Sequence, residues 1–297
     1  MKKIIASFLA TFTLATAPTA QIAAQDHADW PEEITIVQVP DESNPNTPSL
    51  HTQFREHLAE ELGIKVNEVT SGTSYAVGIE ALASGQIDIL LVSPQSYAQS
   101  SEKANAELFA TNSSDSDYYT VFITQSDNDE INSLEDLEGK SFAFVDAASS
   151  SGYVYPKATL LMELGLENER IEQSGYFFEN VVFSGGHDNS VVGVSMGDYD
   201  AAAVAAQIIA GLTEAGVIEE DSIKVIGRSV DIPNPSFVIR GDLPEDFKQA
   251  VQDAFLSFDN GEYFEALYGD AETRFVAIDE TYYAPTLEIL DLVNEGN

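Results

Sequence analysis

The 297 residues carry 13 Lys and Arg against 50 Asp and Glu, a formal net charge of −37, and no cysteine. That charge argues against nucleic acid and anionic membrane surfaces as partners. The missing thiol excludes disulfides, a thiolate metal site, a cysteine nucleophile and a lipid anchor on cysteine.

Lys2 and Lys3 precede an apolar run from Ile4 to Ala15 and then small residues with possible cleavage points after Ala17, Ala20 or Ala24. Residues 1–24 therefore read as a secretory signal, too short for a membrane anchor, and the mature protein is expected to be exported, periplasmic or extracytoplasmic. Without the two lysines the charge nears −39, 11 bases against 50 acids. The acids are scattered, and 44% hydrophobic residues supply a normal core, so disorder does not follow. A salt-adapted, heavily hydrated surface is the hypothesis this composition suggests.

Glu33 to Val39 reads as a first strand. Thr47 and Pro48 then open a helix in which Leu50, Phe54, Leu58 and Leu62 recur every four residues until Gly63. A strand over Ile64 to Val69, a Ser-Gly-Thr-Ser turn leading to Tyr75, a helix ending near Gly85 and a strand over Ile87 to Val92 follow. A second series begins with the strand Tyr118 to Thr124 and continues with the strand Ser141 to Asp146. Val181 to Phe183, the helix from His187 to Gly197, the strand Asp198 to Val204, the helix Ile208 to Gly216 and the strand Ile223 to Gly227 complete it. Pro233 to Arg240 crosses back, and helices run from about Pro244 onward.

This alternation predicts an α/β fold of two lobes, each a mostly parallel sheet flanked by helices, joined by two hinge crossings. Residues 25–117 with 241–297 are expected to form lobe 1, and 118–240 lobe 2 with the hinge strands. Ligands gather beyond the carboxyl ends of such strands, where Tyr75, Ser93 and Tyr97 should lie.

The stretch most suggestive of chemistry is Asp146-Ala-Ala-Ser149-Ser150-Ser151-Gly152-Tyr153, which follows a buried strand and precedes a helix capped by Gly165. Consecutive small hydroxyl residues there, with unpaired N–H groups and the positive end of a helix dipole, form a seat for a tetrahedral oxyanion. A lone serine at such a turn would be an ordinary helix cap.

Several motifs occur together: Tyr75 with Glu80-Ala-Leu, Gly85-Gln-Ile-Asp88, Ser93-Pro94 with Tyr97, and Tyr118-Tyr-Thr120. The second half adds Leu137-Glu-Gly-Lys140 through Asp146 to Ser149-Ser-Ser-Gly152, Gly186-His-Asp188 and Gly197-Asp-Tyr-Asp200-Ala-Ala202. In this order they resemble the phosphate, phosphite and phosphonate binding proteins of ABC importers, over about residues 33 to 290. The resemblance implies a type II periplasmic binding protein fold with two lobes that close on a ligand like a flytrap, in a monomer that delivers its ligand to a permease. It also implies that Ser149, Ser150, Ser151 and His187 grip a phosphorus oxyanion while Tyr75 and Tyr118 close over it. Asp146, beside the seat, would repel a full oxyanion and is expected to bond backbone donors. Asp200 is expected as a structural acceptor and Tyr97 as a supporting residue. Relatives that accept aminoalkylphosphonates supply carboxylates near the amine. The positions aligned with those hold neutral Gln207 and Pro235, which favours phosphite, phosphate or a small alkylphosphonate such as methylphosphonate.

Other classes compete. The same fold serves other small anions or presents ligands to sensors. Gly193-Val-Ser-Met-Gly197 matches the pattern of a hydrolase nucleophile, and Ser149, His187 and Asp200 can be written as a triad. The elbow, however, needs a strand before its serine and a later histidine, and His187 is the last of four. No metal-ligand spacing occurs around His27, His51 or His57, and no cofactor motif is present.

Overall fold

The computed structural model describes residues 29–38, 47–69, 74–114 and 118–294. The expected export signal, the loop at 41–45 and most of the turn before Tyr75 lie outside them. In chain order the first half contains β1 (Glu33–Val37), α1 (Thr47–Leu62), β2 (Lys65–Val69), α2 (Tyr75–Ala83), β3 (Ile89–Val92), α3 (Pro94–Ala104) and β4 (Glu107–Asn112). There follow β5 (Tyr119–Gln125), β6 (Ser141–Phe144), α4 (Tyr155–Leu164), β7 (Asn180–Phe183), α5 (His187–Met196), β8 (Ala201–Ala205), α6 (Ala206–Glu214) and β9 (Ile223–Asp231). The chain ends through β10 (Ser236–Ile239), α7 (Glu245–Ser257), α8 (Gly261–Tyr268), β11 (Phe275–Ala277) and α9 (Leu287–Asn294).

The strands form two sheets, of order β11-β4-β10-β3-β1-β2 and β7-β6-β8-β5-β9. Each has a parallel heart, β2-β1-β3 in one and β7-β6-β8 in the other. Both sheets are mixed: β10 runs antiparallel to β3 and β4, and β5 antiparallel to β8 and β9. These two strands each follow a passage from the other sheet, so they enter from the opposite end. The fold is α/β and two-lobed.

Periodicity explains the layers. Leu50, Phe54, Leu58 and Leu62 of α1 are buried, with Phe54 within 4.9 Å of the Phe255 and Phe258 rings, centre to centre. Each such side chain removed from water contributes about 1.5–3 kcal/mol. In the second lobe all five residues of β8 are buried, and Phe142 stacks on Phe178 at 4.5 Å.

Two segments depart from the lobe boundaries read from the sequence. Strand β10, assigned there to the second lobe, pairs with β3 and β4 in the first sheet. Helix α9, assigned there to the first, packs Leu290 and Val293 into the second core, and Asn168 Nδ2 donates to the carbonyls of Leu292 and Val293 at 3.1 Å. An apolar stripe fixes which helix face is buried but not which of two sheets it covers. The chain therefore passes between lobes three times and not the expected two: from β4 to β5, from β9 to β10, and through the 3₁₀ segment Glu280–Thr286 into α9.

Candidate functional site

The loop after β6 folds back on its own strand. The Val145 N–H donates to the Gly152 carbonyl at 2.9 Å, and the Ser149 hydroxyl accepts from the Gly152 N–H at 3.0 Å. A Cβ on Gly152 would lie 2.4 Å from Val145 Cβ, so only glycine fits this approach. Ser150–Val154 then forms one π-helical turn ahead of α4, with Val154 N–H donating to the Ser149 carbonyl at 3.1 Å. Such wide turns are rare and concentrate at functional sites. Two tethers from the start of β5 hold it: Thr120 Oγ1 donates to the Ser151 carbonyl at 2.7 Å, and Tyr118 Oη to Ser151 Oγ at 2.8 Å. On the outer side Tyr153 Oη and the buried Lys157 ammonium both bond Glu172 Oε1 at 2.5 Å.

Ser149, Ser150 and Ser151 are all buried. His187, the first residue of α5, brings Nε2 to 3.5 Å from Ser149 Oγ and 3.4 Å from Ser151 Oγ. Its Nδ1 accepts from the Ala205 N–H at 3.1 Å. A ring nitrogen that accepts carries a lone pair, so the neutral ring must hold its proton on Nε2, facing the serines. Burial lowers the imidazole pKa from 6.5 to about 4, only partly opposed by Asp188. Burial also pushes the Tyr118 phenol up to about 12. Both groups are neutral at pH 7.

The first lobe meets this turn at the start of α3. Ser150 Oγ accepts from the Gln95 N–H at 2.9 Å and donates to Ser93 Oγ at 3.0 Å, while Ser96 Oγ caps the helix by accepting from the Ser93 N–H at 2.8 Å. The starts of α3, the π-turn leading into α4, and α5 thus converge. Each contributes roughly half a positive charge.

The structure brings together Ser149, Ser150, Ser151, His187 and Tyr118. Tyr75, the first residue of α2, and Tyr97 belong to an apolar cluster that also takes in Ala148 of the loop. Tyr97 lies 5.6 Å from the Tyr283 ring. Asp146 Oδ1 accepts from the Ala148 N–H at 2.8 Å, the backbone role expected of it.

Asp200 stands elsewhere. It accepts from the Ser141 N–H and hydroxyl at 2.7 and 2.8 Å, where β8 and β6 begin, at the opposite end of β6 from the serines. Gln207 is exposed on the first turn of α6, and Pro235 immediately precedes β10. The hydrolase pattern fails on geometry: Ser195 lies inside α5 with its hydroxyl on the Val192 carbonyl, and the His187 nitrogen that a triad carboxylate would occupy is taken by Ala205.

Residues the sequence reading missed include Thr120, Gln95 and Asn294. Pro94 behind Ser93 signals a helix start, but nothing local signals that Gln95 faces the other lobe.

Residues 36–283 match the family described as "ABC transporter, phosphonate, periplasmic substrate-binding protein". The chain belongs to this family. It is 26% identical over 243 residues to the phosphate-import protein PhnD of Mycolicibacterium smegmatis, covering 80% of this chain and 75% of that protein. It is 27% identical over 266 residues to the phosphonates-binding periplasmic protein of Escherichia coli, covering 86% and 74%. Among solved structures it is similar to PhnD1 from Prochlorococcus marinus in complex with methylphosphonate, with a TM-score of 0.74, 20% identity, and coverage of 89% and 99%. The last likeness concerns the fold, a type II periplasmic binding protein.

Proposed function

We propose that this protein captures a small phosphorus oxyanion outside the cytoplasm and delivers it, as a monomer not anchored through cysteine, to the permease of an ABC importer. The observation that carries the reading is the convergence of three helix starts on the serine turn, where the start of α3 meets Ser150 and the neutral His187 Nε2–H faces Ser149 and Ser151. Ser149, Ser150, Ser151 and His187 grip the phosphorus oxygens, and Tyr75 and Tyr118 close over them. Such donors suit an anion whose charge is spread over several oxygens. The family and its relatives, named for phosphate and phosphonates, support the ligand class.

Within that class phosphite, phosphate or methylphosphonate fits best, because Gln207 and Pro235 offer no carboxylate to a cationic tail. The proposed role is binding and not Ser hydrolysis: the His187 Nδ1 is occupied by the Ala205 N–H, and Ser195 sits within a helix.

Calorimetric titration of refolded, ligand-stripped protein against phosphite, methylphosphonate, phosphate, 2-aminoethylphosphonate and sulfate tests the reading. One small phosphorus anion should bind tightly, with 2-aminoethylphosphonate weaker. Equal or tighter binding of sulfate would refute the phosphorus assignment, and silence across the panel would refute the ligand class.

A further inference from the structure

Gln95 is held by the second lobe at three points although it belongs to α3 of the first. Its N–H donates to Ser150 Oγ at 2.9 Å, and its side-chain Nε2 donates to the Ala147 carbonyl at 3.3 Å. Its Oε1 accepts from Asn294 Nδ2 at 3.3 Å, at the end of α9. Because α9 packs on the second core and is bonded to Asn168, Asn294 travels with that lobe. Gln95 is only 5% exposed. Both ends of one buried amide are therefore satisfied from across the cleft, and any opening of the lobes must break both bonds and give the amide to water.

We propose that Gln95 is a positioning residue that sets the balance between open and closed lobes, with the C-terminal helix supplying one of the two bonds to its side-chain amide through Asn294. Its effect on a bound anion rests on the function proposed above; its effect on closure does not. The clasp is made of protein groups alone, so it favours closure with or without an anion, and a ligand trapped beneath it leaves more slowly. It also gives the third passage of the chain a role beyond tethering.

The experiment uses the absence of cysteine from the chain. Exposed Glu60 of α1 and Glu179 beside β7, each replaced by cysteine and spin-labelled, report the distance between lobes. Unliganded wild type should populate the short, closed distance. Gln95→Leu, which keeps the size and loses the amide, should shift the open-to-closed ratio about 5- to 100-fold toward open, and Asn294→Leu about 2- to 10-fold. With methylphosphonate as probe, both variants should release it faster by similar factors, while association changes less than about 2-fold.

Unchanged distances in both variants, folded by circular dichroism, would overturn the clasp, as would a wild type that is wholly open without anion. Slower association with unchanged distances would also overturn it, by making Gln95 a direct ligand contact. A wild type that binds no anion of the panel refutes the proposed function, and the distances still decide the clasp.

Discussion

The two ring nitrogens of His187 do separate jobs, and substitution can take them apart. His187→Ala removes both. The Ala205 N–H then loses the acceptor that stood at 3.1 Å, which costs about 1–3 kcal/mol of stability for a buried donor left unpaired. The Nε2–H is lost from the seat as well, and a hydrogen bond to a charged partner is worth about 1.5–3 kcal/mol, or about 12- to 150-fold in Kd. Asparagine places its Oδ1 near the position of Nδ1, so His187→Asn should recover most of the stability and none of the affinity. Glutamine places its amide near Nε2, so His187→Gln should recover part of the affinity and little of the stability. Urea unfolding and calorimetric titration of the three variants against the tightest anion read the two effects separately. An Asn variant that binds like wild type, or one no more stable than the Ala variant, would refute the division of roles.

Acid gives a second check on the same ring. With its folded pKa depressed from 6.5 to about 4, His187 binds its proton more readily in the unfolded chain, so its contribution to stability is present above pH 6.5 and is lost as pH falls toward 4. After discounting for partial exposure this is worth about 2 kcal/mol, and the stability gap between wild type and His187→Asn should move by that amount against wild type between those two pH values. Gly152→Ala should destabilise the fold by about 1–3 kcal/mol, because the new methyl meets Val145 at 2.4 Å, and should weaken anion binding as the serine turn shifts; wild-type affinity in that variant would disconnect the turn from the site. Added KCl should raise both the melting temperature and the anion association rate, and a flat or falling trend in either would contradict the electrostatic reasoning.

The parts of this fold legible in the sequence are those fixed by near neighbours. Four-residue spacing placed α1, and a small-residue run between an apolar strand and a helix marked the loop after β6. The π-turn was not legible, because its width is set by Thr120, Tyr118 and Val145, which approach it through tertiary packing. Asp200 illustrates the same limit: its partner Ser141 lies 59 positions away, and no local pattern reveals that the pair sits at the far end of β6. The tautomer of His187 depends on one backbone N–H from β8, and the position of Gln95 on a helix whose pattern speaks only of its own lobe. What escapes sequence reading here is contact across the cleft, which is also what a closing protein uses.

A molecule of formal charge −37 that holds an anion must do so with short-range forces. Three helix starts, each about half a charge at ~4 Å and an effective dielectric near 20, offer a monovalent anion on the order of 6 kcal/mol. The opposing charges lie farther off, at roughly the 19 Å radius of gyration expected for a chain of this length. In water without salt they would oppose the anion by about 8 kcal/mol, more than cancelling the helices. At about 0.15 M salt, where the screening length is about 8 Å, that repulsion falls below ~1 kcal/mol while the buried contacts are hardly screened. Neutral donors set at helix starts suffice once salt has silenced the surface, and the acidic exterior keeps its hydration without forfeiting the ligand.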